Sequence, residues 1–114
     1  TGAIMEREDL EEIAKVIEEK DIFVISDELY AELTYKGEHV SIAAIPGMRE
    51  RTVLINGFSK AYAMTGWRIG YAAAPEIILT QMLKIHQFQS CVPRRPASMR
   101  LWKRSRTVMR ILPE

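Results

Sequence analysis

Apolar positions along the first part of the chain recur at three- and four-residue steps. Leu10, Ile13, Ala14, Val16 and Ile17 share one face from Met5 to Lys20, with Glu and Lys between them, which predicts an amphipathic helix. Glu6, Glu8, Asp9, Glu11 and Glu12 crowd its first turns, where the positive end of the helix dipole favours acidic groups. The pattern then changes. Ile22-Phe23-Val24-Ile25 is a continuous apolar run without polar alternation, the pattern of a strand buried on both faces of a parallel sheet. A second run, Thr52-Val53-Leu54-Ile55, breaks at Asn56-Gly57, and a third, Arg68 to Ala73, closes before Pro75. Pro75 suits the first turn of a second helix carrying Ile78, Met82, Leu83, Ile85 and Phe88 to about Gln89. Helices and strands in alternation predict an α/β architecture with a mainly parallel sheet.

Composition sharpens this picture in one respect. With 47% hydrophobic and 27% charged residues the chain has the make-up of a globular domain. No apolar run approaches the roughly 20 residues a spanning helix requires, and the first residues lack the basic-then-apolar order of a signal peptide, so the expectation is a cytoplasmic protein without membrane contact. One cysteine, Cys91, with His39 and His86 as the other soft ligands, gives no metal-site spacing. The net charge of +1 conceals an asymmetry. Residues 1–93 carry 9 basic against 14 acidic side chains, a net of −5, while residues 94–114 carry 7 against one, a net of +6. The two parts differ in kind.

Two residues stand where chemistry is placed in such sheets. Asp27 follows the first predicted strand, and the carboxyl ends of strands are where open α/β sheets bind ligands; on position alone it serves equally as a turn or cap residue. Lys60 follows the second strand in Asn56-Gly57-Phe58-Ser59-Lys60, whose small residues allow a ligand to approach the backbone. On position alone it is equally a solvated surface lysine.

The run Ser59-Lys60-Ala61-Tyr62-Ala63-Met64-Thr65-Gly66-Trp67-Arg68-Ile69-Gly70-Tyr71 resembles the lysine segment of fold-type-I, class I/II aminotransferases that depend on pyridoxal 5'-phosphate (PLP), of the aspartate and aromatic type. Val24-Ile25-Ser26-Asp27-Glu28-Leu29-Tyr30 resembles the strand-end motif of the same family, and Thr1-Gly2-Ala3 the end of its N-P-T-G turn. The resemblance covers residues 1 to about 93 and implies a partial PLP-binding large domain. It implies that Lys60 is the Schiff-base lysine, which also moves the substrate's α-proton, and that Asp27 faces the pyridine nitrogen. Tyr30 would bond the cofactor's phenolic oxygen, and Arg68, with Ser59 beside it, would hold the phosphate, which a guanidinium fork suits. Many members place a serine three residues before the lysine; here that position is Gly57, and the hydroxyl of Ser59 is the substitute.

The function so implied is amino-group transfer between an amino acid and a 2-oxo acid, in a protein whose full-length relatives are homodimers. The same residues would serve a PLP lyase or synthase. The family's catalytic domain is longer than this chain, so the expectation is a central fragment, and a catalytically silent remnant with a structural role is the other-class alternative. Residues 94–114 depart from the family's small-residue helix. Reading Met99 and Trp102 through their single codons one base earlier permits a family-like helical sequence, so this basic tail is read as frame-shifted or non-native. Its rival, a nucleic-acid or membrane-surface patch, lacks a recognition fold.

Overall fold

The computed structural model describes residues 3–89 and 110–113. The first helix, α1, spans Arg7–Lys20. Leu10, Ala14 and Ile17 are its buried positions, one per turn, whereas Ile13 and Val16 are exposed; the buried stripe is narrower than the apolar pattern. At the start the Asp9 carboxylate accepts a hydrogen bond from the Glu6 amide at 3.0 Å, satisfying one of the donors that a helix N-terminus leaves over. At the end Asp21 turns left-handed (φ 48°). Its amide donates to Glu18 O at 3.1 Å and the Ile22 amide to Ile17 O at 3.2 Å, the paired bonds of a Schellman stop. A non-glycine residue there costs on the order of 1 kcal/mol, and Arg51 Nη1, 3.1 Å from Asp21 Oδ1, ties the turn to the chain before the second strand.

That stop sets where the first strand begins. The Ile22 amide belongs to the helix, so β1 is Val24–Asp27 rather than the run from Ile22. The strand β2 covers Thr52–Gly57 and β3 covers Ile69–Ala73. The second helix, α2, spans Glu76–Gln89. The Pro75 carbonyl accepts from the amides of Ile78 and Leu79 at 2.9 and 3.1 Å, so the proline sits just before the helix instead of inside its first turn. Leu79 is buried, while Ile77 and Ile85 stay exposed; the Phe88 side chain lies outside the described residues.

The sheet runs β1-β2-β3-β4, with β4 at Arg110–Pro113. β1 and β2 are parallel, with Val24 beside Thr52 and Asp27 beside Ile55. β3 is antiparallel to β2, with Gly57 opposite Gly70, and β4 is antiparallel to β3. The α/β class holds, but among the described residues the sheet is mixed and not mainly parallel, because alternation of apolar runs reveals strands without revealing their direction. β4 falls in the basic tail, where the sequence predicts no strand; its Pro113 is tolerated because the strand is an edge. The change of composition at Pro93 and most of the basic tail lie outside the described residues.

One core cluster joins Leu10, Ala14 and Ile17 of α1 to Ile42, Ile45 and Met48 of the crossover between β1 and β2, with Val24 and Val40 packed against it. Met48 is completely buried. The crossover is built of turns and short 3₁₀ segments, at Ala31–Leu33, Ile42–Ala44 and Arg49–Arg51. The opposite face of β1 is bare: Ile25 is 73% exposed and Phe23 before it 66%. Burial on both faces, expected from the apolar run, is therefore not met by the described residues. Among them no helix is long and apolar enough to cross a membrane.

Candidate active site at the sheet edge

Parallel pairing places the carboxyl ends of β1 and β2 side by side, and the antiparallel β3 begins where β2 ends. Asp27, the segment after Gly57, and Arg68 just before Ile69 therefore share one edge of the sheet. Asp27 is the exposed last residue of β1. Its Oδ1 accepts from the Leu29 amide at 3.2 Å, an Asx turn that redirects the chain. Tyr30 follows at the head of the Ala31–Leu33 turn.

Lys60 meets Tyr30 across the sequence. Its Nζ lies 5.4 Å from the centre of the Tyr30 ring, within the range in which an ammonium is attracted to an aromatic face. Lys60 makes no ion pair among the described residues, with Asp27 or any other carboxylate. Lys60 is an exposed residue.

The segment between Lys60 and Arg68 is a tight, strained turn. The Met64 amide donates to Phe58 O and the Ala63 amide to Lys60 O, each at 3.2 Å. Ala63 and Arg68 both take left-handed backbone, at φ 52° and 49°, which costs non-glycine residues about 1–2 kcal/mol each. Thr65 holds the two ends together. Its hydroxyl donates to Ser59 O at 3.0 Å, and its own carbonyl accepts from Arg68 Nη1 at 3.1 Å. Ser59 and Arg68, the two candidate phosphate groups, are thus linked through one residue that the sequence reading passed over.

Ser59 is only 6% exposed, and among the described residues its Oγ is a buried polar atom without a hydrogen-bond partner. Such an atom costs on the order of 1–3 kcal/mol unless a partner arrives. Gly57 has a steric reason. A Cβ there would stand 3.1 Å from Ile69 O and 3.3 Å from Gly70 Cα, so the close approach of β2 and β3 disfavours a serine at that position. Ser59, two residues on, carries the nearest hydroxyl along the chain.

Sequence reasoning also missed a polar cluster behind Asp27. Glu28 is 7% exposed; its Oε1 accepts from Ser41 Oγ at 2.6 Å and Ser26 Oγ at 3.1 Å, and its Oε2 pairs with His39 Nε2 at 2.9 Å. The available signal was an acidic residue in a strand-end motif, but its partners lie up to thirteen positions away. Burial pushes the Tyr71 phenol above its ordinary pKa, and the nearby Tyr62, Glu28 and Glu32 add to the effect. Phe58 packs between Tyr62 and Tyr71 at ring distances of 5.5 and 5.8 Å. An open groove of about 1030 Å³ runs beside β1 and the start of the crossover, past Ile4, Ile25, Asp27, Tyr30 and Tyr35. Ser59, Lys60 and Arg68 lie outside its lining, and Tyr30 is where the groove meets their segment. Among the described residues no cluster of three or more His, Cys, Asp or Glu could hold a metal ion.

A primary amine, a carboxylate, a phenol, a guanidinium and a hydroxyl unpartnered among the described residues stand toward one end of the sheet, groups that could hold an aldehyde-bearing, phosphorylated pyridine. The lone Ser59 hydroxyl is the observation that tests this fit, since a phosphate oxygen would satisfy it. Comparison with known proteins gives the family. A family model described as aminotransferase class I and II matches residues 1–99, and the chain belongs to that family. It is 57% identical over 94 residues to the putative aminotransferase YugH of Bacillus subtilis, covering 82% of this chain and 24% of that protein. Over 94 residues it is 48% identical to the aspartate aminotransferase of Pyrococcus abyssi, again 82% of this chain and 24% of the other. The crystal structure of an aromatic aminotransferase from Pyrococcus horikoshii OT3 superposes with a TM-score of 0.78 at 49% identity, over 82% of this chain and 25% of that one. The chain spans about a quarter of the length of these relatives.

Proposed function

We propose that this chain is the cofactor-binding segment of a PLP-dependent aminotransferase that moves an amino group from an amino acid to a 2-oxo acid. The observation that carries the proposal is the meeting of the Lys60 amine with the Tyr30 ring at the edge where Asp27, Ser59 and Arg68 also converge. When bound, PLP supplies the electron sink for the transfer. Lys60 is the residue that would bond it covalently as a Schiff base, and its released Nζ would carry the substrate's α-proton. The Asp27 carboxylate would keep the pyridine nitrogen protonated. At about 4 Å and an effective dielectric near 20 an opposite charge would be worth roughly 4 kcal/mol, or about 3 pK units, in favour of the protonated ring. Tyr30 would donate to the cofactor's ring oxygen, and Arg68 and Ser59 would grip the phosphate.

The expected homodimeric assembly and cytoplasmic location of the whole protein belong to this proposal, as does a shifted reading frame for residues 94–114. The family match stops at residue 99, inside this stretch, and resequencing the gene tests the idea.

The test of the cofactor site is direct. The purified chain is mixed with PLP, reduced with borohydride, and the label located by mass spectrometry. Label concentrated on Lys60 and lost in Lys60→Ala is the expected result. Label spread over Lys15, Lys20 and Lys84, or none, would overturn the reading.

A further inference from the structure

We propose that Glu28 is a positioning residue for the cofactor site, a buried clamp that fixes Asp27 and Tyr30 by tying the loop after them back to the core. The inference rests on the roles given above to Asp27 and Tyr30, but the clamp itself stands on geometry that needs no cofactor. Glu28 is held at five points. Its amide donates to Ile55 O on β2 at 2.8 Å and its carbonyl accepts from the Ala31 amide at 3.0 Å. Its two carboxylate oxygens take Ser26, Ser41 and His39.

Energetics argue against a space-filling role. Taking a carboxylate out of water costs several kcal/mol, and apolar side chains of similar size commonly replace buried charges with no loss of stability. Glu28 instead has three side-chain partners, and they come from two places: Ser26 on β1, and His39 and Ser41 at the far end of the crossover loop. Between them, Glu32, Leu33 and residues 35–38 are exposed, with Tyr35 at 91%. Little packing holds that stretch. Ser41 anchors its return, because its Oγ also accepts from the Ala43 amide at 3.2 Å and so caps the turn that begins at Ile42, a core residue. The line of connection runs from the Ile42 core through Ser41 to Glu28. From there the backbone carries it one residue back to Asp27 and two residues on to Tyr30, which faces Lys60.

Three amides report the clamp in the cofactor-free chain: Glu28 (to Ile55 O), Leu29 (to Asp27 Oδ1) and Ala31 (to Glu28 O). Their hydrogen exchange is compared by NMR in the wild type, Glu28→Ala, Glu28→Gln and His39→Ala. Glu28→Ala is expected to speed exchange at these amides at least tenfold while leaving the amides of α2 unchanged. Glu28→Gln, which keeps the shape and an acceptor for the serines, is expected to stay within about threefold of the wild type. His39→Ala removes one bond from a partly exposed side chain and is expected to speed exchange about fivefold, the Boltzmann factor of roughly 1 kcal/mol; it decides the matter if Glu28→Ala does not fold. In parallel, borohydride labelling of Lys60 relative to Lys84 is expected to fall in the same order. Unchanged exchange at all three amides in Glu28→Ala and His39→Ala overturns the clamp, as does equal acceleration throughout α1 and α2. A wild-type chain that exchanges as expected but takes no label at Lys60 sinks the cofactor reading instead and leaves the clamp standing.

Discussion

Replacing Gly57 by alanine tests why this sheet edge lacks the serine seen in many aminotransferases. Two effects oppose each other. Gly57 does not have left-handed backbone, so alanine gains about 0.4–1 kcal/mol by restricting the unfolded chain. Against this, the new Cβ would lie 3.1 Å from Ile69 O, 3.2 Å from Leu29 Cδ1 and 3.3 Å from Gly70 Cα. The leucine tip can swing aside, but the other two atoms are backbone of β3, paired with β2. Overpacking of this kind costs about 1–3 kcal/mol, so the net expectation is a loss of about 1–2 kcal/mol. Urea unfolding followed by tryptophan fluorescence measures it. With a slope at the low end for small proteins, about 1–1.5 kcal/mol per molar, the midpoint falls by about 1 M. Gly66→Ala is the control, since nothing lies within 4 Å of its added Cβ, and it is expected to be neutral or slightly stabilising. A Gly57→Ala chain as stable as Gly66→Ala would refute the close-approach argument, and with it the steric reason for moving the hydroxyl to Ser59.

Ser59→Ala should reverse sign with the cofactor. In the cofactor-free chain it removes a buried hydroxyl without a partner and should be neutral or stabilising by up to about 1 kcal/mol, whereas the affinity for PLP, read by absorbance titration, should fall; a variant that loses stability without PLP contradicts the assignment. Met48→Ala empties a completely buried position in the core cluster and should cost about 2–5 kcal/mol in the same urea assay. Tyr71 gives a pH signature. Its phenol is raised above about 10 by burial first and by Tyr62, Glu28 and Glu32 next. The folded state therefore holds this proton more tightly than the unfolded chain, so the contribution is complete below about pH 10 and is lost as pH climbs through the raised value. The urea midpoint should drop over that window, and Tyr71→Phe should flatten the drop; an equal drop in the variant refutes the attribution.

What was legible in the sequence follows from how far each feature reaches along the chain. α1, β2, β3 and α2 depend on periodicity within a few residues, and each lies close to where its pattern placed it. The turn from Ser59 to Arg68 is also local. Its hydrogen bonds span three to six residues, so one contiguous motif encodes it almost whole. Features that need two distant segments left no such trace. The antiparallel direction of β3 depends on how the short Ser59–Arg68 connection folds back, which apolar alternation does not record. The Glu28 clamp joins residues eleven and thirteen positions apart through a loop with no periodic pattern, and a serine, a glutamate, a histidine and a second serine in that order look like ordinary exposed residues. The bare face of β1 misled for a related reason. An apolar run reports what a strand was selected to pack against, and Ile25 and Phe23 keep that record although the described residues put nothing over them. The site divides along the same line. Lys60, Ser59 and Arg68 are placed by a local motif that this chain contains whole, whereas Asp27 and Tyr30 lie toward the same end of the sheet because β1 pairs with β2, and Tyr30 alone of the two is seen against Lys60. The Lys60 segment should therefore keep its geometry under perturbations of the crossover that displace Asp27 and Tyr30.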